Sequence, residues 1–201
     1  MVRDGVFRFI LEAVLLLSIG ISGYHRWKAR ASGEVIERRR EAPGLIALRS
    51  VVVLPLMLAL LAFIIQPRWL AWSHVALPVW VRWVGAASGG AAVPLVWWVV
   101  SSLGRNISET VLTKRDHQLV THGPYRRVRH PLYAVGILLL GSASLLTSSW
   151  LVAALTVLAA AGIQAVVIPR EESALAEKFG NAYIEYSDRT GRLLPRLGRR
   201  G

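Results

Sequence analysis

No cysteine occurs in the 201 residues, which excludes disulfides, thiolate metal ligands and a cysteine nucleophile together. Metal ligation would fall to five scattered histidines and the carboxylates, and no metal site is read from their spacing. Strand-helix alternation is also missing. The one glycine-dense run, GAASGGAA at residues 85–92, follows no strand and lies inside an apolar block, so a Rossmann-type nucleotide domain is excluded. Gly85 and Gly89 instead form G-x-x-x-G, a spacing that lets two membrane helices approach closely. Acidic residues are few, 12 against 24 Lys and Arg, giving a net charge of +12.

Apolar residues make up 54% of the chain and come in blocks of membrane length at residues 6–24, 45–65, 76–103, 132–147 and 150–168. This predicts an all-α, polytopic transmembrane bundle of about five spans. The fourth block is shorter than the ~20 residues of a straight crossing, so it is paired with the fifth as a helical hairpin turned at Thr147, Ser148 and Ser149. The first block is longer than a cleavable apolar core, contains Glu12 and runs into a basic flank, so it is read as a retained helix. The chain divides into residues 1–102, three spans with a loop at 25–43, and residues 103–201, where the polar chemistry collects. The two parts form one integrated domain.

Placement of the positive charge decides between a membrane and a nucleic acid. Six basic residues lie between Tyr24 and Gly44, six between Leu103 and Pro131, and seven after Ile168, whereas the intervening connections carry few. By the positive-inside rule the N-terminus is outside and both basic loops and the tail are cytoplasmic, next to membrane lipids. No nucleic-acid partner is needed to explain the charge. Trp69, Trp72, Trp80, Trp83 and Trp150 fall at the opposite interface, as aromatic anchors should. His25 and His74 are assigned to the membrane edges. Glu12 and Gln164, costly in lipid, are expected to face the bundle interior.

The segment THGPYRRVRHPLY, residues 121–133, interrupts the apolar pattern. Gly123 and Pro124 make a turn, and His130, preceding Pro131, is biased toward an extended backbone. Tyr125 and Tyr133 supply walls with hydroxyl handles, and Arg126, Arg127 and Arg129 supply cationic donors for a carboxylate or phosphate. The second polar cluster, PREESALAEKFGNAYIEY, follows block five. Glu171 and Glu172 fall in the first turn of a predicted amphipathic helix, and Gly180 is expected to break it.

The ordered set Gly123, Tyr125, Arg129-His130-Pro131, Tyr133, Glu171-Glu172, Leu175, Phe179-Gly180, Tyr183, Tyr186 and Pro195 resembles the isoprenylcysteine carboxyl methyltransferase family and its phospholipid-methyltransferase-like relatives. The likeness covers about residues 103–195. It implies an integral-membrane enzyme that uses S-adenosylmethionine without a Rossmann domain. By position it would put cofactor contacts on His117, Gln118, Leu119, Val120, Tyr125, His130, Pro131, Leu132, Tyr133 and Glu171. Thr110 matches a further contact position with a different residue type. Arg129 and Arg170 are the candidates for orienting an anionic acceptor. The family's substrate-holding arginine, one turn before the first glutamate, is replaced here by Val167, so Arg170 substitutes for it or the acceptor is not a prenylcysteine. An amphiphilic, lipid-like acceptor entering from the bilayer is expected, with carboxyl, phospholipid and thiol acceptors all open. A nicotinamide-dependent membrane reductase and a non-enzymatic lipid-binding scaffold are the competing readings.

Overall fold

The computed structural model describes residues 2–30, 49–104 and 119–196. These form α1 (Val2–Arg30), a π-helical turn (Arg49–Val53) leading into α2 (Leu54–Ile65), and a 3-10 turn (Pro67–Ser73). There follow α3 (Val79–Leu103), a 3-10 turn (Gly123–Arg126), α4 (Pro131–Thr147) and α5 (Trp150–Gly162). A second π-helical turn (Ile163–Val167), α6 (Ile168–Phe179) and α7 (Asn181–Arg189) complete the order.

Three stretches are long and apolar enough to cross a membrane: Gly5–Ala29, Val79–Leu103 and Trp150–Phe179. Ser50–Ile65 and Pro131–Thr147 are shorter apolar helices, so two of the five expected spans fall below crossing length within the described residues. The fourth and fifth blocks form the expected hairpin. Ser148 takes a left-handed conformation with φ 50°, and Ser149 caps α5 by accepting from the Val152 amide at 3.3 Å.

Helix α3 is central and packs against α1 and α4. Hydrophobic burial drives helices together only weakly in lipid, so close backbone approach and hydrogen bonding must do so. The G-x-x-x-G pair supplies both against α4. A Cβ on Gly85 would come within 2.8 Å of Leu145 Cβ and 3.2 Å of the Ser142 carbonyl oxygen, and Ser142 Oγ donates to the Gly85 carbonyl at 2.7 Å. Buried Arg82 donates to the Leu146 carbonyl at 3.0 Å, satisfying an acceptor at the end of α4, and lies 4.1 Å over the Phe7 ring.

At this end the hairpin tip is tied to the second connection. Ser73 and Ser149 hydroxyls meet at 2.7 Å, the Val75 amide donates to Ser148 at 2.7 Å, and the Trp72 and Trp150 rings sit 5.4 Å apart. Trp69, Trp72, Trp80, Trp83 and Trp150 are all exposed, as anchors must be. His74 is exposed at this end too, whereas His25 packs edge-on against Trp97 at 5.0 Å.

Two expectations change. The amphipathic helix does not start afresh at Pro169, because α5, the π turn and α6 run on as one 30-residue stretch. At ~1.5 Å per residue that stretch is about 45 Å long. It outruns a hydrocarbon core of ~30 Å near Pro169 and delivers Glu171 and Glu172 to the membrane surface. Gln164, expected inside, is exposed on the π turn, since the extra residue of that turn rotates it off the packed face. Glu12 is neutralised within α1 by Arg8, whose Nε donates to it at 2.9 Å. The break at Gly180 is present, with φ 53°.

Gly85→Ala is expected to cost about 1–3 kcal/mol through overpacking. Gly90, with nothing within 4 Å of an added Cβ, should accept alanine without loss. Thermal unfolding of the two variants in detergent checks the contrast.

Candidate functional site

The polar end of the bundle is assembled from the 3-10 turn and the segment after it, α6, α7 and the residues beyond α7. Gly123 has φ 58°, and a Cβ there would lie 2.6 Å from Ser102 Oγ, so the turn is seated on the end of α3 and requires glycine. Pro124 and Tyr125 are buried while Arg126 and Arg127 are exposed. The backbone then runs extended beside Gly191 and Arg192. The Arg129 amide donates to the Gly191 carbonyl at 2.8 Å, the His130 amide to the Arg192 carbonyl at 3.0 Å, and the Gly191 amide to the Arg127 carbonyl at 3.1 Å. His130 ends this run at φ −122°, as a residue before proline should, and Pro131 opens α4.

Glu172 is the hub. Its carboxylate accepts from Arg129 Nε at 3.0 Å and from Arg192 at 2.7 Å (Nη2) and 3.2 Å (Nε), and His130 Nε2 lies 3.3 Å away. The other edge of the buried imidazole, Nδ1, is 3.5 Å from Glu171 Oε2, and the ring stacks on Tyr133 with centroids 5.8 Å apart. Arg129 Nη1 donates to the Ser187 carbonyl at 2.7 Å and to that of Thr190, satisfying acceptors at the end of α7. Tyr186 Oη donates to the Tyr125 carbonyl at 2.8 Å, closing α7 onto the turn.

Two polar atoms here are buried without a hydrogen-bond partner among the described residues: Glu171 Oε2, an acceptor, and Tyr183 Oη. Burial, reinforced by the negative charge of Glu171, pushes the Tyr125 hydroxyl well above its ordinary range. Burial together with Glu172 does the same to Tyr183, and burial pushes Tyr186 up to about 12. All three hydroxyls therefore remain protonated donors at neutral pH. The Glu172 carboxylate raises the Arg192 guanidinium above its usual value.

Of the residues singled out in the sequence, the structure brings Tyr125, Arg129, His130, Pro131, Tyr133 and Glu171 together. Leu132 and Val120 pack against the core cluster that contains Tyr125 and Val135, and Leu119 is half-buried beside Val120. His117, Gln118 and Thr110 lie outside the described residues. Arg129 is committed to Glu172 and to two helix-end carbonyls, while Arg170 is exposed on the first turn of α6 and Val167 is buried. Sequence reasoning missed Arg192 and the hub role of Glu172. Adjacent glutamates on a helix point about 100° apart, and only tertiary packing decides which one meets the arginines.

Residues 90–177 match the model of the isoprenylcysteine carboxyl methyltransferase family. The chain carries a segment of that family. This family segment runs from the middle of α3 through Glu177, taking in His130, Glu171 and Glu172 but ending before Tyr183 and Arg192. Among curated proteins, the cobalt-zinc-cadmium resistance protein CzcN of Cupriavidus metallidurans is 38% identical over 42% of this chain and 38% of its own length. The nickel-cobalt-cadmium resistance protein NccN of Alcaligenes xylosoxydans xylosoxydans is 34% identical over 57% of this chain and 53% of its own. The uncharacterized protein YpbQ of Bacillus subtilis is 26% identical over 84% and 96%. The chain thus spans about half or less of the two metal-resistance relatives. Among the described residues no group of three His, Asp or Glu side chains is placed to hold a metal ion.

Because the folded tyrosines hold their protons more tightly than the ordinary value of 10.0, the stability they contribute is complete below that pH and is lost as pH rises above it. Melting temperature in detergent should fall above pH 10.0, and Tyr125→Phe should flatten that fall.

Proposed function

We propose that the chain is an integral-membrane methyltransferase that uses S-adenosylmethionine and methylates the carboxyl group of an amphiphilic, isoprenylcysteine-like acceptor. The observation that carries this reading is Glu171 Oε2, buried within the family segment and left without a hydrogen bond. An unsatisfied buried acceptor costs about 1–3 kcal/mol, so a site that keeps one open is arranged for a donor from a ligand. A ribose hydroxyl supplies that donor and can also accept from Tyr183. Tyr125, Tyr133 and His130 offer rings for an adenine or an amino-acid end, joined by Leu119, Val120, Pro131 and Leu132, with His117 and Gln118 completing the proposed contacts.

When bound, the sulfonium supplies an electrophilic methyl group, which passes to the acceptor oxygen as its carbon–sulfur bond breaks. The protein's contribution is alignment, which is worth several kcal/mol, about 7–11 at most, in such a displacement. An acceptor carboxylate is already ionised at neutral pH, with a reference pKa near ~4, and needs no base. The side chains support this choice over an amine or a thiol: the buried tyrosine hydroxyls are held protonated, and His130 is flanked by two carboxylates. Arg129, already paired, serves the fold, which leaves exposed Arg170 as the cation for the acceptor's charge. Delivery of Glu171 to the membrane surface supports sideways entry of the acceptor from the bilayer, with the N-terminus outside and the site cytoplasmic. Arg126 and Arg127, exposed beside it, suit contacts with anionic head groups.

Titration of detergent-purified protein with S-adenosylhomocysteine should saturate, and titration with NADPH should not. Glu171→Ala and His130→Ala should each weaken S-adenosylhomocysteine at least tenfold while the protein stays folded. Unchanged affinity in both variants would remove the assignment. Methyl transfer should be found with a prenylcysteine analogue and not with phosphatidylethanolamine or small thiols. The reverse pattern would move the acceptor class.

A further inference from the structure

We propose that Arg192, outside the family segment, is a positioning residue for the cofactor side of the site: it occupies Glu172 so that Glu171 stays open to the ligand. The proposal rests on the methyltransferase reading. Arg192 grips the cradle twice. Its carbonyl accepts from the His130 amide at 3.0 Å, and its guanidinium forks onto Glu172 at 2.7 and 3.2 Å. It thereby joins the loop before α4 to the first turn of α6, two parts of the chain that otherwise meet through side chains.

The charge arrangement gives this grip a consequence for the ligand. Glu171 and Glu172 both border the His130 imidazole, at 3.5 and 3.3 Å on opposite edges. With both arginines present, each Glu172 oxygen has a guanidinium partner and the ring is shared without being captured. Without Arg192, Arg129 alone faces two carboxylates. The ring and the loop that carries it are then free to swing toward Glu171, the atom reserved for a ligand donor. An isolated pair at an exposed arginine would matter little, but this one is forked, and its carboxylate belongs to a network with only 15% of its side chain exposed. The strap that carries Arg192 is itself fixed. Thr190 is buried and donates to the Tyr186 carbonyl at 2.7 Å, and a Cβ on Gly191 would collide with the Leu194 carbonyl oxygen.

Two readouts on the full-length protein in detergent test the proposal. In ligand-free protein, hydrogen exchange of the peptide holding the Arg129 and His130 amides should be at least tenfold faster in Arg192→Ala. In the same variant the Kd for S-adenosylhomocysteine and the KM for S-adenosylmethionine should rise five- to twentyfold, with kcat within twofold of wild type. Arg192→Lys, which keeps the charge and loses the fork, should fall between, and it serves as the test variant if the alanine protein does not fold. Faster exchange with unchanged affinity would reduce Arg192 to a staple for the tail and overturn the proposal. Unchanged exchange would overturn it as well. If wild-type protein binds no S-adenosylhomocysteine, the cofactor reading itself fails, and the exchange measurement alone then decides whether Arg192 holds the loop.

Discussion

Three stretches of chain far apart in sequence meet at one carboxylate. Glu172 receives Arg129 from the loop before α4 and Arg192 from the strap after α7, and it borders His130. A largely buried carboxylate at the edge of a low-dielectric membrane is tolerable only when its partners are complete, since losing one leaves charge uncompensated. The same arginines therefore both stabilise the carboxylate and fix the loop, and the walls of the site inherit their positions from that pairing. Arg129 extends the constraint to α7 by occupying carbonyls at its end.

The membrane part of the fold serves this cluster by placing its elements. Small residues let α3 and α4 touch, which sets the end of α3 under Gly123 and the start of α4 at Pro131. The hairpin returns the chain as a helix long enough to emerge from the bilayer with its two glutamates just past the boundary. Neither requires a soluble domain. A cofactor site can thus be built from helix ends and one braced loop, where unsatisfied backbone groups and charged side chains are compatible with water.

The chemistry follows from what is held protonated or already paired. Buried tyrosines remain donors, the imidazole lies between carboxylates and Arg129 is engaged, so the site offers binding geometry more than acid-base exchange. That suits transfer of an activated group to an acceptor that is already ionised. It also separates the adjacent glutamates into a saturated one that organises the fold and an open one that faces the ligand.

Much of this was legible in the residues. Apolar block length gave the helices, the short fourth block and the serines after it gave the hairpin, G-x-x-x-G gave the close helix pair, and Gly180 gave the break. Each depends on local composition or spacing, which a sequence carries directly. The continuous helix through the π turn, the outward face of Gln164 and the shortfall of α2 as a span were not legible, because one extra residue in a turn rotates everything that follows without changing composition. Nor was the division of labour between Glu171 and Glu172, or the part played by Arg192 twenty residues beyond the hub. The sequence by itself determined which residue types are available at the membrane surface. The tertiary structure alone decided which carboxylate meets the arginines, because that depends on where three chain segments, remote in sequence, come to lie side by side.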